Sequence, residues 1–238
     1  MNWLDLTLAN PAENLAMDEA LLDLGEGGGS GEILRFWESD SYFVVLGYSN
    51  KVAEEVNLSS CRSSGIPLFR RKSGGGTVLQ GPGCLNYALI LDAGHRPELS
   101  GITQANRIIM ETNRQCLETL LKQPVHVRGH TDLALRDLKF SGNAQRRRKR
   151  FFLFHGTFLL DFDFSKIASV LAHPSREPDY RAGRPHRSFL TNISVPREAL
   201  KQALRKAWQT GACLETLPLS PLKKLVPEYE DPSWIEKF

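Results

Sequence analysis

The sequence of 238 residues predicts one α+β domain in which helices pack on mixed or antiparallel sheets. Helical and strand-like segments are interspersed, but without the strict βαβ alternation that a parallel sheet requires. Between residues 125 and 162, short strand-like segments follow one another at intervals typical of antiparallel hairpins. Residues 103–122 repeat apolar side chains at helical spacing and predict the longest helix, which we expect to pack on a sheet.

The first part of the chain predicts one helix and several strands. Asn10 and Pro11 fit the N-cap and the first turn of a helix, which the glycine run at residues 25–31 ends. Strands are expected at residues 3–8, 33–37, 42–46 and 84–91, and a short helix or turn at residues 57–64.

The second half predicts hairpins and then helices. Its expected strands cover residues 125–127, 133–135, 138–145 and 151–162, and its expected helices cover residues 165–171 and 198–208. The stretch 173–187 is rich in proline, arginine and glycine, which indicates a loop. The tail from Leu217 contains four prolines, so we expect an irregular segment that Tyr229 and Trp234 hold in place.

Composition restricts the classes of function. Hydrophobic residues make up 41% of the chain, enough for a real core, and the net charge of +3 is small for a dedicated nucleic-acid-binding protein. The four cysteines form no CxxC pair and the chain starts MNWLDL without a secretory leader, so we expect a cytoplasmic protein. No apolar run approaches the roughly 20 residues that span a bilayer, so we expect no membrane partner.

The most specific motif is RRKSGGGTVLQGPGCLN at residues 70–86. Consecutive glycines allow neighbouring backbone N–H groups to converge on one point, and the preceding Arg70, Arg71 and Lys72 add positive charge. This combination predicts a cradle for a phosphate or a carboxylate. A flexible surface loop is the alternative, but apolar segments on both sides favour a bend between two strands.

A second candidate group lies in the sequence RGHTDLALRDLKFSGNAQ at residues 128–145. If residues 136–137 form a two-residue turn, Lys139 faces Ala134 on the neighbouring strand. Asp132 then shares one surface of the sheet with Lys139, because side chains alternate along a strand. An exposed ion pair without a functional role is the alternative for these two charges.

Small and polar residues interrupt the strands next to this pair. Ser141 and Gly142 follow the lysine and suit a backbone that closely approaches a ligand. His155 and Gly156 interrupt the apolar sequence FFLFHGTFLLDFD at residues 151–163. A lone histidine is commonly structural, but a glycine inside so apolar a strand indicates a neighbour that needs the space.

These segments, in this order, resemble the lipoate-protein ligase family, within the superfamily of lipoyl and biotinyl protein ligases and octanoyltransferases. The resemblance covers nearly the whole chain. Its motifs are NLAMDE (14–19), VVLG (44–47), RRKSGGGTV (70–78), GHTDL (129–133), LKFSGNAQ (138–145), FHGTFLLDFD (154–163) and SFLTNI (188–193).

The resemblance implies the catalytic-domain fold of biotin and lipoate protein ligases, which is similar to that of class II synthetases. It also implies an adenylating enzyme that uses ATP, Mg²⁺ and lipoate. The carboxylate of lipoate attacks the α-phosphate of ATP, and lipoyl-AMP stays bound. A lysine of an acceptor lipoyl domain then takes the acyl group as an amide.

By the same resemblance, Lys139 is the expected catalytic residue, which polarises the acyl carbonyl and neutralises the phosphate. Asp132 is expected to orient Lys139 or to bind the adenine side. The expected ligands of lipoyl-AMP or ATP are Arg71, Ser73, Gly74, Gly75, Gly76, Thr77, Val78, Leu79, Asp132, Ser141, Gly142, His155 and Gly156. No residue is expected to ligate a metal.

The sequence departs from the family pattern at two places. Gln80 stands where a histidine is common after the glycine signature, which changes the contacts to the nucleotide or the acyl chain. Many bacterial lipoate ligases also carry a further C-terminal domain of about 100 residues, whereas we expect a single catalytic domain over residues 1–238. A separate accessory subunit, activation without one, and transfer of an acyl group that is already activated remain open.

The alternative function is an octanoyltransferase or lipoyltransferase with a thiol nucleophile. Related transferases place that cysteine where this chain has residues such as His130 and Phe152, and Cys84 suits packing better than catalysis. Nucleic-acid binding through RRRKR at residues 146–150 is a third possibility, which we do not expect without a separate DNA-binding module. For this basic run we hypothesise a role in docking an acidic lipoyl domain.

Overall fold

Two β-sheets form the centre of the fold, in a computed structural model that describes every residue from 1 to 238. The strands are β1 (Asn2–Asp5), β2 (Ile33–Glu38), β3 (Phe43–Leu46), β4 (Leu68–Arg70), β5 (Val78–Gln80), β6 (Cys84–Asp92), β7 (His126–Arg128), β8 (Asp132–Leu135), β9 (Leu138–Arg147) and β10 (Phe151–Leu159). The larger sheet has the order β1-β2-β6-β10-β9-β8-β7, and the smaller has the order β4-β3-β5.

Nine helices surround these sheets. They are α1 (Pro11–Glu26), α2 (Val52–Glu55), α3 (Leu58–Ser63), α4 (Ile102–Leu121), α5 (Ser165–Val170), α6 (His186–Phe189), α7 (Arg197–Ala207), α8 (Leu219–Glu230) and α9 (Pro232–Ile235). Single 3-10 turns cover Pro97–Leu99 and Asp179–Arg181. None of the helices combines the length and the hydrophobicity that crossing a bilayer requires.

The larger sheet is mixed, as the sequence predicts. Strands β1 and β2 run parallel, and every other neighbouring pair in this sheet is antiparallel. In the smaller sheet, β3 pairs in parallel with β4 and antiparallel with β5. The predicted strand at 151–162 ends earlier, at Leu159, because the chain turns away after pairing with Cys84 at the end of the neighbouring strand.

Alternating side chains give the larger sheet two faces with separate cores. One face packs against α4 and α7 through residues such as Phe36, Tyr87 and Phe154. The other face packs against α1 and α8, together with apolar residues of the smaller sheet such as Phe43 and Val45. The smaller sheet therefore lies on the α1 side of the larger one, and the two sheets enclose the space in which the candidate site is found.

Helix α1 begins where the sequence predicts it. The side chain of Asn10 accepts a hydrogen bond from the backbone N–H of Glu13 at 2.8 Å, and the Glu13 carboxylate accepts one from the Asn10 N–H at 3.3 Å. This reciprocal capping box, with Pro11 in the first helical position, fixes the start of the helix. It also fixes the direction in which the buried Asp18 points from the same helix.

The tail from Leu217 is helical, so the expectation of an irregular segment is wrong. The reason is the position of the prolines: Pro218 caps α8 and Pro232 opens α9, where a missing N–H costs nothing. Only Pro227 lies well inside α8, and packing of that helix on α1 compensates for it. The expectation that Tyr229 helps to hold the tail is confirmed, because its side chain is buried against α1.

Candidate active site

A cavity of about 1030 Å³ lies between the two sheets, on the α1 side of the larger sheet. Its floor is one row of residues that crosses five strands. Strand register places Trp37 beside Asn86, Asn86 beside Thr157, Thr157 beside Gly142, and Gly142 beside Asp132. All five residues line the cavity. The floor therefore connects the second strand of the sheet with the β8–β9 hairpin.

Most of the residues singled out from the sequence meet at this cavity. Those that line it are Arg71, Gly75, Gly76, Thr77, Val78, Leu79, Asp132, Lys139, Gly142, His155 and Gly156. They come from three distant parts of the chain, so their convergence is a property of the fold. Ser73, Gly74 and Ser141 do not line the cavity.

The β8–β9 hairpin places Lys139 opposite Ala134, as predicted, and residues 136–137 form the two-residue turn. Strand β9 carries one extra residue, Phe140, which forms a bulge. The aromatic ring of Phe140 packs in the core. The turn places Lys139 on the same face as Asp132, and the bulge brings Gly142 opposite Asp132, onto that face as well. The Lys139 Nζ atom lies 2.8 Å from Asp132 Oδ1, and the lysine side chain keeps 25% of its surface exposed.

Gly142 makes room for this ion pair. A Cβ atom at this position would lie 2.7 Å from Lys139 Nζ and 2.8 Å from its Cε. No real Cβ tolerates such contacts, so any larger residue must displace the lysine head. The glycine is needed because the lysine lies across it, whereas the sequence analysis expected the close approach to be made by a ligand.

The Asp132 carboxylate has a second partner that the sequence analysis missed. Tyr180 donates its hydroxyl proton to Asp132 Oδ2 at 2.9 Å, from the loop that precedes α6. Burial and the nearby Asp132 carboxylate both raise the pKa of Tyr180, which therefore stays protonated as a donor. No local pattern marks this tyrosine, because its partner lies 48 residues away in sequence.

The backbone of Lys139 is also fixed. Its carbonyl accepts a hydrogen bond from the Thr191 N–H at 2.9 Å. The next residue, Asn192, accepts from the Phe162 N–H and donates to the Phe162 carbonyl, both at 3.1 Å. The SFLTNI segment thus ties the lysine hairpin to the end of the long central hairpin.

The glycine loop lies across the cavity and forms a cradle of donors. The backbone N–H groups of residues 74–77 donate to no other group of the chain. Arg71 folds over the loop and donates to the carbonyls of Gly74 at 2.7 Å and Gly76 at 2.8 Å. Burial lowers the pKa of Arg71 to about 10, which still leaves it charged at neutral pH.

Two close approaches shape this loop. Gly75 has a φ of +89°, and a Cβ there would lie 2.9 Å from the Arg71 guanidinium. Gly47 lies directly against the Gly75 carbonyl, so a side chain at Gly47 would push the loop away from β3. Gly47 ends the VVLG motif, and its role in supporting the glycine loop was not apparent from the sequence.

Only the middle residue of the basic triplet faces the cavity. Arg70 is fully buried and donates to the carbonyls of Trp234 at 3.1 Å and Ile235 at 2.7 Å. Trp234 Nε1 donates in return to the Arg70 carbonyl at 2.9 Å. Lys72 pairs with Glu228 of α8 at 2.7 Å. The C-terminal helices therefore anchor the strand that leads into the glycine loop, as expected for Trp234.

Ser73 connects the glycine loop to His155 on the floor of the cavity. Its hydroxyl lies 2.6 Å from His155 Nε2, and His155 Nδ1 lies 3.5 Å from Asp18 Oδ2. Asp18 in turn forms a buried ion pair with Arg35. His155 is thereby held by groups on both sides and lines the cavity, whereas Ser73 is buried and acts through the histidine.

Gly156 is required by a residue on the face of the sheet that points away from the cavity. A Cβ there would overlap the side chain of Asn143. Asn143 accepts a hydrogen bond from the Tyr87 hydroxyl at 2.6 Å, within a buried polar chain behind the floor of the cavity. Ser141 lies on this same hidden side, 3.4 Å from Asn143 Nδ2. Gly156 and Ser141 therefore contact Asn143 on the side of the sheet that faces away from the cavity.

The basic run at residues 146–150 is largely neutralised within the chain. Arg146 and Arg148 lie 3.1 Å and 2.8 Å from the carboxylate of the buried Glu19. Arg150 pairs with Asp92, and Arg147 donates to the Leu99 carbonyl. Arg147 and Lys149 form no ion pair. The paired arginines hold α1 and the neighbouring loop in place, and a role of this run in docking an acidic lipoyl domain stays a hypothesis.

No cysteine lines the cavity, and all four are free. Cys84 is fully buried, and burial raises its pKa to about 12. Cys116 is also shielded, which raises its pKa to about 11. These thiols stay protonated at neutral pH. The side chains also form no cluster of three or more histidine, cysteine or acidic groups that could hold a metal ion.

Comparison with known protein families gives one match that covers most of the chain. Residues 10–209 match the family model of the lipoyl protein ligase A/B catalytic domain. The octanoyltransferase LipM of Lysinibacillus sphaericus is 28% identical over 226 residues, which are 85% of this chain and 82% of that protein. The "Probable lipoate-protein ligase A" of Mycoplasma genitalium is 33% identical over 162 residues, 68% of this chain and 46% of that protein.

Solved structures with similar folds include lipoate-protein ligases. A bi-partite lipoate protein ligase of Thermoplasma acidophilum, described with its E2 lipoyl domain, superposes with a TM-score of 0.83 and 25% identity, over 99% of this chain and 95% of that one. A lipoate-protein ligase A bound with ATP gives the same TM-score and identity, over 99% and 98% of the two chains. The expected ligase-type α+β fold is confirmed.

Proposed function

The chain belongs to the lipoyl protein ligase A/B catalytic domain family, and on this premise we propose that it is a lipoate-protein ligase. It activates lipoate with ATP and transfers the lipoyl group to a lysine of an acceptor lipoyl domain. One observation carries the proposal: Lys139, Arg71 and residues 75–77, whose N–H groups are free, line a single cavity. Such donors suit charge that develops on phosphate and carbonyl oxygens.

In the first step, a carboxylate oxygen of lipoate attacks the α-phosphorus of ATP and pyrophosphate leaves. Both reactants are negatively charged, so the site must offset their repulsion. Arg71 provides one charge after it exchanges the carbonyls of its own loop for phosphate oxygens. Lys139 provides the other when it leaves Asp132 for the forming anhydride. The N–H groups of residues 74–77 add dipoles of the same sign.

In the second step, the amine of an acceptor lysine attacks the acyl carbonyl, and AMP leaves with its phosphate charge restored. Lys139 polarises the carbonyl oxygen and stabilises the leaving phosphate. Asp132 and Tyr180 return the lysine to a defined position after each turnover.

The nucleotide and its metal enter as substrate. A structural neighbour binds ATP, and the cradle of N–H groups beside Arg71 suits its phosphates. Because the chain offers no cluster of metal ligands, we propose that Mg²⁺ arrives on the ATP phosphates and keeps most of its water ligands. The free cysteines fit a reducing compartment such as the cytoplasm.

An octanoyltransferase is the second candidate function. It is supported by the similarity to LipM over 85% of this chain. A thiol nucleophile is the difficulty, because Cys84 is buried and its pKa is raised to about 12. A transferase built on this cavity must therefore bring an activated acyl group directly to the acceptor amine.

One experiment separates these functions. The pure chain is incubated with an apo lipoyl domain and either lipoate with Mg-ATP or octanoyl acyl carrier protein, and the mass of the acceptor is measured. We expect a lipoyl mass shift that Lys139→Ala abolishes and Cys84→Ser leaves intact. A shift only with octanoyl acyl carrier protein overturns the ligase proposal in favour of the transferase.

A third arm offers synthetic lipoyl-AMP. Because the Thermoplasma acidophilum relative is bi-partite, a separate accessory subunit is one route to full activity. Transfer from lipoyl-AMP without any activation of lipoate assigns the first step to such a subunit. Failure with all three donors contradicts the proposed function.

A further inference from the structure

A chain of polar side chains crosses the floor of the otherwise apolar inner part of the cavity. Gln80 Nε2 donates to Thr157 Oγ1 at 2.6 Å, and Thr157 Oγ1 donates to Asn86 Oδ1 at 2.5 Å. All three residues line the cavity, and both amides are more than nine-tenths buried. Apolar residues such as Leu15 and Val45 face them from α1 and β3.

This chain leaves hydrogen-bonding capacity unused. Gln80 Oε1 and Asn86 Nδ2 have no partner in the structure. Reversing both amides gives the same result, because the single hydroxyl of Thr157 can donate only once and its oxygen then accepts from the other amide. In either orientation one acceptor and one donor remain. Buried polar atoms without partners are costly, so a ligand that supplies them gains affinity.

The position of these atoms matches the far part of an eight-carbon acyl chain. Neighbouring strands lie about 4.8 Å apart, so Thr157 and Asn86 stand about 5 and 10 Å from Gly142 along the floor. An extended chain advances about 1.2 Å per bond, which puts the eighth carbon roughly 8 Å from the carboxyl carbon. With that carboxyl at Lys139, carbons six to eight lie over the polar chain.

We propose that Gln80, Thr157 and Asn86 select an acyl chain with sulfur at its distal carbons, as in lipoate, over the plain octanoyl chain. This inference rests on the proposed function, since it takes Lys139 as the carboxyl end. Sulfur accepts hydrogen bonds from amides, and the protein itself makes such a contact where Asn143 Nδ2 lies 3.7 Å from Met110 Sδ. Sulfur in this place accepts from the free amide N–H, which is Asn86 Nδ2 in the orientation described, whereas methylene groups leave that donor without a partner.

The test is equilibrium binding of lipoate and of octanoate to the whole chain by isothermal titration calorimetry, without nucleotide. We expect the wild type to bind lipoate roughly tenfold more tightly, a difference equivalent to about 1.4 kcal/mol. Gln80→Met keeps the length of the side chain and removes the amide that orders Thr157 and, through it, Asn86. It is expected to reduce this ratio to about twofold or less. Gln115→Met, an exposed change on α4, is the matched control and leaves the ratio unchanged.

Thr157→Val is the second variant, because it keeps the shape of the side chain and removes the hydroxyl that orders both amides. It is used in place of Gln80→Met if that variant does not fold, and the same loss of preference is expected. Equal affinity of the wild type for the two acids overturns the inference, and so does an unchanged ratio in the folded variant. Failure of the wild type to bind either acid contradicts the proposed function instead.

Discussion

The two walls of the cavity hold their cations in different ways. On the glycine-loop wall (residues 70–80), Arg71 donates only to backbone carbonyls. Buried contacts to the C-terminal helices anchor this wall through Arg70. On the hairpin wall (residues 128–145), Lys139 pairs with the carboxylate of Asp132, which Tyr180 also holds.

The difference assigns the walls different tasks. Carbonyl partners leave the full positive charge of Arg71 available to a phosphate, whereas the Asp132 carboxylate cancels the charge of Lys139 until the pair opens. Under the proposed function, the glycine-loop wall would attract an anion before any chemistry occurs. The hairpin wall would become positive only when a ligand displaces the carboxylate, so its charge would act on the reacting group.

The largest expected effect on activity comes from removing the cation of the hairpin wall. Lys139→Ala should lower the rate of lipoyl-AMP formation by about 10² to 10³, as for loss of one oxyanion donor. Its melting temperature should stay close to that of the wild type, because the side chain is partly exposed. Quenched-flow assays with labelled ATP measure the rate. An alanine variant with more than a tenth of normal activity contradicts the assigned role.

On the glycine-loop wall, the main effect of a substitution at Arg70 should be a loss of stability. Arg70→Ala removes a buried guanidinium that donates hydrogen bonds to several carbonyls, including those of Gly47, Asn50 and Ile235. We expect the free energy of unfolding to fall by about 3 kcal/mol, since several buried acceptors lose their donor. Urea titration measures it, with Lys149→Ala as an exposed control. A loss below about 0.5 kcal/mol would show that the anchor is unimportant.

Crowding the hairpin wall without removing its charge should have an intermediate effect. In Gly142→Ala the new methyl group meets Lys139 Nζ at 2.7 Å, so the lysine must move away from its position. We expect the turnover rate to fall about tenfold to a hundredfold, because a misplacement of about 1 Å can cost up to about 10² in rate. Gly101→Ala is the control, because nothing lies within 4 Å of its Cβ position. Equal rates for both variants would remove Gly142 from the site.

Loosening the partner of the lysine should have a smaller effect. Tyr180→Phe deletes the 2.9 Å hydrogen bond to Asp132 and leaves the ring in place. We expect a two- to fivefold lower turnover rate with little change in KM, which corresponds to a net hydrogen bond of about 1 kcal/mol or less. Steady-state kinetics test this. A change in KM alone would mean that Tyr180 binds substrate and does not position Asp132.

The smallest effect concerns acid stability near the hairpin wall. Burial, reinforced by Arg181, His173 and Lys139, lowers the pKa of His186 from 6.5 to about 4. Between these values the unfolded chain binds a proton that the folded protein excludes, so stability should fall as the pH drops from 6.5 towards 4. His186→Gln should flatten this part of the curve in urea titrations. An unchanged slope would assign the acid sensitivity to other groups.

Local signals in the sequence predicted much of the framework. The N-cap of α1 at Asn10 and the two-residue turn before Lys139 depend only on neighbouring residues, and both were placed correctly. The same turn fixed the register that brings Lys139 beside Asp132. The long helix α4 followed from its apolar spacing alone.

Contacts between distant segments could not be predicted. The basic runs at residues 70–72 and 146–150 look alike in sequence, but one leads into the cavity and the other is paired with carboxylates of α1. Tyr180 and Trp234 carry no pattern that identifies their partners. The helical tail was missed because prolines break helices internally and yet favour their first turns, and only the structure shows where each helix starts.

The bonds between Arg70 and the C-terminal helices also set an order of events during synthesis. Trp234 leaves the ribosome 164 residues after Arg70. At about 5 to 20 residues per second, this delay lasts roughly 8 to 30 seconds. A nascent chain therefore carries an unfinished glycine loop for most of its translation, and the cradle matures only when the chain has been made through residue 235.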